Sequence, residues 1–552
     1  MGSNTAAQAP QGRLAFGLFV AAAFLSPLLY SLCTGHVWED YFITFKHSQN
    51  LCEGHGLVFF PGERVHGFTS PLGTLLPALC YWLSGGGSFL RALWLFRIFS
   101  AAAFAGGGAF FLQALRAGGA GKYVQLAFAL LYLLDAKAVD FSGNGMETGF
   151  MLLFLGWGLS LLVRDEPRRW PAVGLCWAGL MWTRPDGCVY IAILALAGLL
   201  FANGPRLARV VAGVKSAAVC AAVYLPWFAW AWLYYGSPVP NTIRAKASCG
   251  GGYPNLSEVV RGTVERFPQR LAELFTPTYF GHGGWPAWMS VVALSLGTFC
   301  VVYWLIPIQD RLGRMVSFCF ALITLYLAFL RAVPWYLPPA EVCGLLVLAQ
   351  GTVACARALP RGRLAARGAV AVGLVLLIGL SAWTMLMTAR QLEVQQREIE
   401  WGNRKVVAEW LKENVGEGER VYTECLGYFG YFSGVRIQDN PGLVSPEVIE
   451  EIRRGPDDFA SVGLRLQPEW MAVRPFEAEG LTGREEFRTR YELVKTFDVS
   501  GRLDQYPDLL GKGYLEGDAT FLIYRRVTEG AMSPDGTNAE KPDRSSQQQP
   551  LK

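Results

Sequence analysis

Charged side chains stand at the ends of several long apolar runs in this sequence. Glu39 and Asp40 directly follow the first run, and Glu147, Arg184 and Asp186 stand at the ends of later ones. A carboxylate that reaches a hydroxyl group can accept its proton during group transfer. A guanidinium group can bind a phosphate with two parallel hydrogen bonds and stabilise its charge. These five residues are therefore candidates for an acid–base and anion-binding site.

Each of these residues also has a purely structural explanation. Glu39 and Asp40 could be an acid pair at a membrane interface, and Glu147 could stabilise the dipole of the helix that follows it. The sequence TRPDG at 183–187 could be a plain turn, although a turn gives Arg184 no role. A function is favoured because all of them fall on the same predicted side of a membrane.

The loop after the first apolar run is the segment with the most polar residues. Glu39 and Asp40 are adjacent there, so they cannot face the same way, and one is expected to point into the site while the other points sideways. Apolar residues recur over 41–51 in the pattern of an interfacial amphipathic helix. Glycines and prolines over 54–67 predict a compact loop. Further candidates in this loop are His55, Arg64 and His66.

Two later segments add cations and aromatic rings on the same predicted side. The sequence YYGSPVPNTIRAK at 234–246 brings Arg244 and Lys246 near the lipid headgroups. The sequence RAVPWYLPP at 331–339 contains Tyr336 and resembles a corner at the membrane interface. The alternative is an aromatic belt with cations that extend to the interface.

The composition predicts a membrane protein. Hydrophobic residues make up 52% of the 552 residues and charged residues only 17%, whereas soluble chains carry roughly 25% charged residues. The net charge of +5 is small for this length and argues against nucleic acid as a partner. The twelve cysteines show no metal-ligand spacing, and a disulfide framework is not expected.

Apolar runs of about 20 residues predict membrane-spanning helices. Basic residues cluster in alternate loops, which are placed in the cytoplasm together with the N-terminus. The run 71–83 is too short to span and would break this alternation, so it is expected to lie along or re-enter the outer leaflet. The first span is expected to be an uncleaved signal anchor. The eleven predicted spans are 14–32, 90–115, 123–140, 147–163, 170–184, 187–202, 209–235, 287–307, 314–331, 335–356 and 367–388.

The predicted fold class is mainly α, with a small C-terminal α/β domain. Residues 1–388 form the helical membrane domain, and residues 389–528 form the α/β domain outside the membrane. Within the second domain, 420–423 and 521–525 are predicted strands. Residues 529–552 are rich in Ser, Gln, Pro and Asp and are predicted to be disordered.

Several segments, taken in order, resemble a known family. After the acidic pair come EGHGLVFFPGERVHGFTSPL, SGNGMET, TRPDG and YYGSPVPNTIRAK, and GYFSGVRIQDNPGLVSPE follows at 430–447. This order resembles the GT-C glycosyltransferases of the terminal arabinofuranosyltransferase group. The resemblance implies a polyprenyl-phosphate sugar donor and an acidic catalytic base in the first outer loop, at Asp40. Many members show two aspartates here, so the role of Glu39 is the more open of the two.

The resemblance also implies a plasma-membrane enzyme with a glycan acceptor, and the positive-inside pattern places the site on the extracytoplasmic side. The chemistry of transfer from a lipid phosphate then gives roles to the other candidates. Arg64, Arg184, Arg244 and Lys246 are the pool for donor-phosphate ligands. Sugar or acceptor contacts are expected from His55, His66, Glu147, Asp186 and Tyr336.

Some alternatives stay open at this point. No cofactor is certain, although a divalent cation could bind the histidines together with Glu39. A transporter or flippase of lipid-linked sugars is a second hypothesis, with Arg97 as its deepest charge, but no internal repeat is evident. A third is a scaffold that only presents the 389–528 domain, which leaves the carboxylate pair unexplained.

Overall fold

The computed structural model has a helical membrane part followed by a small α/β part, so the fold class predicted from the sequence is confirmed. The described residues are 9–165, 167–201, 205–248, 255–308, 310–330, 333–358 and 363–527. The predicted disordered tail lies outside these residues. The cysteines within them are all free thiols.

The membrane part contains sixteen α-helices in the described ranges. They are α1 (Ala9–Thr34), α2 (Glu39–Cys52), α3 (Leu72–Leu83), α4 (Phe89–Ala117), α5 (Lys122–Leu133), α6 (Ala136–Phe141), α7 (Thr148–Arg164), α8 (Trp170–Thr183), α9 (Gly187–Phe201), α10 (Arg206–Tyr235), α11 (Asn241–Ser248), α12 (Leu256–Leu274), α13 (Trp288–Val302), α14 (Arg311–Leu330), α15 (Pro338–Ala358) and α16 (Arg363–Val394).

Seven of these helices, within the described ranges, are long and apolar enough to cross a membrane. They are α1, α4, α10, α13, α14, α15 and α16, and each carries one of the predicted spans. The other four predicted spans fall on the shorter helices α5 to α9. The chain is therefore a multi-pass membrane protein, while the count of eleven spans stays a prediction. Helix α3 has 12 residues, about 18 Å at 1.5 Å per residue, which is shorter than a bilayer core.

Burial divides the long helices into central and peripheral ones. Most of α4, α14 and α15 is buried inside the protein, whereas α10 and α16 expose most of their apolar side chains. Exposed Leu, Val and Trp side chains on a helix of this length are stable in lipid, not in water. The peripheral helices therefore face the bilayer.

Helices α4 and α7 pack very closely because small residues line their contact. A Cβ atom added at Gly149 would lie 2.5 Å from the backbone oxygen of Ser100. One added at Gly156 would lie 2.8 Å from the backbone oxygen of Gly107. Small residues allow such close approach of helices inside membranes, where van der Waals packing replaces the hydrophobic effect.

The chain leaves the membrane part along one uninterrupted helix. Helix α16 continues into a π-helical stretch, Gln395–Arg404, and then into α17, Lys405–Asn414. The predicted boundary between residues 388 and 389 therefore falls inside a helix, and the domain division stays a prediction. The first strand of the α/β part begins at Arg420.

The α/β part, called the outer domain here, has a five-stranded mixed sheet in the order β2-β1-β3-β5-β4. Strands β1, β2 and β3 are parallel, and β5 is antiparallel to both β3 and β4. Both predicted strands are confirmed, as β1 and within β5. The strands are β1 (Arg420–Thr423), β2 (Arg436–Asp439), β3 (Trp470–Val473), β4 (Tyr491–Asp498) and β5 (Thr520–Arg526). The helices are α18 (Leu426–Ser433), α19 (Pro446–Arg454), α20 (Phe459–Leu466), α21 (Pro475–Thr482), α22 (Glu485–Arg490), α23 (Ser500–Leu503) and α24 (Lys512–Gly517).

The α4–α7 contact gives a stability prediction. Gly149→Ala inserts a methyl group against the backbone of Ser100, and overpacking of this kind costs about 1–3 kcal/mol. We expect a lower unfolding midpoint in detergent, measured by denaturant or thermal unfolding. The matched control is Gly379→Ala on α16, where an added Cβ meets nothing within 4 Å and stability is expected to hold. Equal stability of the two variants would contradict the packing account.

Candidate active site

The two adjacent carboxylates at the start of α2 point in different directions, as the sequence predicted. Glu39 Oε1 accepts a hydrogen bond from the backbone N–H of Gly427 at 3.1 Å, and Glu39 Oε2 accepts one from Arg404 at 3.1 Å. Both partners are outside the membrane helices. Asp40 makes neither of these bonds, and the charges of Lys246 and Arg184 lower its pKa instead. The acid pair therefore joins two different parts of the molecule.

Helix α2 is held in this orientation by aromatic packing. The ring of Phe42 lies 4.7 Å from that of Tyr428 and 5.1 Å from those of Tyr431 and Phe432 on α18, measured between centroids. Tyr41, Phe42 and Phe45 are fully buried. Helix α2 exists as predicted, but it is covered by the outer domain instead of lying free at an interface. Leu51, which was expected on the apolar face, is exposed.

Arg184 is a buried guanidinium with only part of its hydrogen-bonding capacity used. It is 5% exposed, in the turn that follows α8. Its Nε donates to Asp186 at 3.0 Å, and its Nη1 lies 3.9 Å from Glu147. Its Nη2 has no hydrogen-bond partner within the described part of the chain. Because an unpaired buried donor is costly, this nitrogen marks a place for an acceptor group.

Aromatic rings enclose the same guanidinium. The central carbon of Arg184 lies 3.1 Å from the ring centroid of Tyr336, a close cation–π contact. The hydroxyl of Tyr326 donates to Asp186 at 3.0 Å and holds that carboxylate in place. The cavity left between Glu147, Arg184 and Tyr336 measures only about 10 Å³, room for about one water molecule. The site is thus closed over its cation.

Asp40 is a carboxyl group with opposing influences on its pKa. Burial raises the pKa of Asp40 above its ordinary value, and the nearby charges of Lys246 and Arg184 lower it, with burial the larger effect. A raised pKa makes the carboxylate a better proton acceptor while the cations keep its charged form accessible. The role of Asp40 as a general base stays a prediction.

Glu39 is placed in a different electrostatic setting. Burial raises the pKa of Glu39 to about 8, against the opposing effect of Arg404. Arg404 is already neutralised by Glu400 at 3.0 Å and Asp518 at 2.7 Å. A third carboxylate beside one guanidinium gains little from being charged. The arrangement indicates a structural role for Glu39 between the two parts of the chain.

The structure brings some predicted site residues together and leaves others apart. Glu147, Arg184, Asp186 and Tyr336 are linked by the contacts described above, and Asp40 is coupled to Arg184 and to the exposed Lys246 through their charges. Arg64 is exposed and stacks on the ring of Tyr234 at 5.0 Å. Arg244 and Lys246 are both exposed on α11 and are two residues apart, so the two cations point in different directions.

The histidines lie elsewhere. His55 is exposed in the turn after α2. His66 is buried and stacks on Tyr235 at 4.4 Å, and burial lowers its pKa to about 3. Among the described residues, no three His, Cys, Asp or Glu side chains are grouped to hold a metal ion. The possible divalent cation stays an untested expectation.

Arg97, the deepest charge named for a transporter, has structural partners. Its Nε donates to the backbone oxygen of Gly143 at 2.6 Å, and its Nη2 donates to that of His36 at 2.7 Å. These bonds tie the loop before α7 to the loop before α2. The guanidinium therefore fastens the segments that carry Glu147 and the acid pair.

Sequence reasoning missed Arg404, because no local pattern marks it. It lies 365 positions from Glu39 in the chain, in a polar stretch that reads as an ordinary solvated helix. Asn241 and Asp439, which connect α11 to the outer domain, were inside quoted segments but carried no signal of their own. Only the fold shows what these side chains contact.

Comparison with solved structures identifies the fold. The crystal structure of the Archaeoglobus fulgidus oligosaccharyltransferase, tethered to an acceptor peptide, matches 88% of this chain and 73% of its own chain, with a TM-score of 0.50 and 14% identity. The chain thus has the GT-C fold, a fold of membrane glycosyltransferases. A cryo-EM structure of the mycobacterial arabinofuranosyltransferase AftD matches 92% of this chain and 41% of its own at 16% identity, but with a TM-score of 0.41, too low to add to this.

Sequence comparison shows similarity to a curated arabinofuranosyltransferase. The terminal β-(1→2)-arabinofuranosyltransferase of Mycobacterium tuberculosis is 30% identical over 235 residues, which are 38% of this chain and 35% of the relative. The chain thus spans about a third of the length of that relative. The predicted resemblance to arabinofuranosyltransferases is confirmed. Residues 390–524 also match a family described as a domain of unknown function, DUF8728.

Proposed function

We propose that this protein is a membrane glycosyltransferase that moves a sugar from a polyprenyl-phosphate donor to a glycan outside the cytoplasm. The observation that carries the proposal is the unpaired Nη2 of the buried Arg184, on the residue whose charge acts on Asp40. A guanidinium that can bind an anion and a candidate base are therefore coupled through their charges. The name of the curated relative suggests arabinofuranose as the sugar.

The donor phosphate would bind at Arg184. Its free Nη2 would donate to a phosphate oxygen, and Lys246 would add a second positive charge across the site. Glu147 and Asp186 hold the guanidinium from the other side, so they orient it and leave the open nitrogen for the ligand. Because the phosphate leaves as an anion, this charge stabilises the leaving group without a proton donor.

Asp40 would activate the acceptor. Its carboxylate takes the proton of an acceptor hydroxyl, whose oxygen bonds to the anomeric carbon while the bond from that carbon to the phosphate oxygen breaks. The proton ends on Asp40 and the electron pair on the lipid phosphate. One displacement of this kind inverts the configuration at the anomeric carbon.

Donor entry requires the site to open. A cavity of about 10 Å³ beside Arg184 holds no sugar, and Tyr336 covers the guanidinium. We propose that Tyr336 moves when the donor binds and that its ring then lines the sugar site. The outer domain, which covers α2 through Phe42, would recognise the acceptor on the extracytoplasmic side of the plasma membrane.

Two neighbouring variants test the proposal. Asp40→Asn removes the base, so we expect kcat to fall by about 10²-fold or more while the donor still binds. Glu39→Gln keeps an acceptor oxygen for Gly427 at a position where the acid is expected to be uncharged near neutral pH, so turnover should stay within a few-fold. The measurement is release of lipid phosphate by purified protein with a panel of polyprenyl-phosphate sugars.

The opposite ranking of these two variants would make Glu39 the base. If wild-type protein releases no lipid phosphate from any donor, or if Asp40→Asn is as active as wild type, the proposal is wrong. Thermal unfolding in detergent checks that both variants fold.

The pH dependence gives a second test. The base works only when Asp40 is deprotonated, so activity should fall as the pH drops through a pKa that burial has raised. Lys246 lowers that pKa, so Lys246→Met should move the acid limb of the kcat profile to higher pH. An acid limb that is unmoved in this variant would show that Lys246 does not act on the catalytic base.

A further inference from the structure

Helix α11, which carries Lys246, is fastened to the outer domain at both ends. At its start, the side-chain nitrogen of Asn241 donates to the backbone oxygens of Gly442 at 2.8 Å and Leu443 at 3.1 Å. At its end, Ser248 accepts a hydrogen bond from Arg453 of α19 at 3.2 Å. Along its length α11 packs against α19. The position of this short helix therefore depends on the outer domain.

The loop that receives Asn241 is itself rigidly built. The fully buried carboxylate of Asp439, at the end of β2, accepts hydrogen bonds from the backbone N–H groups of Gly442, Leu443 and Val444. Three such bonds fix the turn that follows the strand. The carbonyl groups of Gly442 and Leu443 are thereby held in place relative to the sheet.

Asn241 also contacts the first outer loop. Its backbone N–H donates to the backbone oxygen of His66 at 2.9 Å, and its side chain is 5% exposed. Thr242 and Ala245 are buried beside it on α11. Lys246 follows Thr242 by four residues and so lies one turn further along the helix, at an exposed position. A shift at Asn241 would therefore move Lys246.

We infer that Asn241 is a positioning residue, through which the outer domain holds α11 and sets Lys246 against Asp40. The inference deepens the proposed function and rests on it. It means that the part of the chain proposed to recognise the acceptor also sets the electrostatics of the base and of the phosphate site. Motion of the outer domain and chemistry at Asp40 are then coupled through the hydrogen bonds of Asn241, with a further contribution from the bond between Arg453 and Ser248.

Four charged groups interact electrostatically with Asp40, whose pKa the test must measure. Lys246 reaches it from α11 and Arg184 from the turn after α8, while Glu147 before α7 and Glu39 on α2 are its acidic neighbours. Of these four groups, Lys246 is the one on α11. Loosening α11 should therefore raise the pKa of Asp40 in the same direction as removing Lys246, but by less.

The test is Asn241→Ala in the full chain, with three readouts. We expect kcat to fall roughly tenfold, since small misplacements of charged groups are costly in catalysis. The acid limb should move to higher pH, by less than in Lys246→Met. The double variant Lys246→Met/Asn241→Ala should have its acid limb at the same pH as Lys246→Met alone, because both substitutions act through the interaction of Lys246 with Asp40. Amide hydrogen exchange over 241–248 should become faster.

A control variant on the same helix and a second variant at its other end test whether the effect depends on the attachment of α11. Ile243→Ala changes a 39% exposed side chain on the same helix and should leave the acid limb unmoved. Arg453→Gln breaks the bond at the far end of α11 on an exposed residue, so it should fold and give a smaller shift in the same direction.

An acid limb and a hydrogen-exchange rate equal to wild type in both Asn241→Ala and Arg453→Gln would overturn the inference, while the proposed function would stand. If wild-type protein transfers no sugar, the proposed function fails by itself. Hydrogen exchange over 241–248 in the two variants then still decides whether the outer domain holds α11.

Discussion

The architecture depends on the divergence of two adjacent carboxylates at the start of α2. Consecutive residues of an α-helix point about 100° apart, so Glu39 and Asp40 cannot serve the same partner. Glu39 bonds Gly427 and Arg404, and the charges of Lys246 and Arg184 act on Asp40. The first turn of α2 therefore lies between three parts of the molecule: the helix that leaves the membrane, the outer domain and the cation site. It holds these parts in position relative to one another.

Burial of charge explains most of the remaining geometry. A guanidinium taken out of water must be paired, and Arg184 is paired on one side only, by Asp186 and Glu147. Tyr336 and Tyr326 complete its surroundings without neutralising it further. Arg404 differs in its ion pairs, because Glu400 and Asp518 both lie within about 3 Å of its guanidinium, whereas Arg184 has one such close partner, Asp186, and a more distant one, Glu147 at 3.9 Å.

The sequence predicted the parts of this arrangement that follow from local patterns. Apolar length predicted the long helices, and β1 and β5 were found from their strand-forming residues. The acid pair, Glu147, Arg184 and Lys246 were found because charges beside apolar segments are costly and so stand out. The close α4–α7 contact at Gly149 follows from no single segment, since glycine is common throughout this chain.

Other parts could not be predicted because they depend on contacts between distant segments. The choice of Lys246 over Arg244 requires the orientation of α11, which the outer domain sets through Asn241. The partner of Glu39 lies 365 residues away, on a helix with no pattern of its own. Helix α2 is covered because Phe42 packs against Tyr428, Tyr431 and Phe432 of α18. This contact forms only after the membrane part and the outer domain have both folded.

The central claim is that these charges converge on the phosphate of a lipid-linked sugar. The most direct measurement is a cryo-EM structure of the full chain with a polyprenyl-phosphate sugar bound. The account predicts phosphate density within hydrogen-bond distance of Arg184 Nη2, with the anomeric carbon facing Asp40 and Tyr336 displaced from the guanidinium. A phosphate bound away from Arg184, with Tyr336 still stacked on it, would contradict the account.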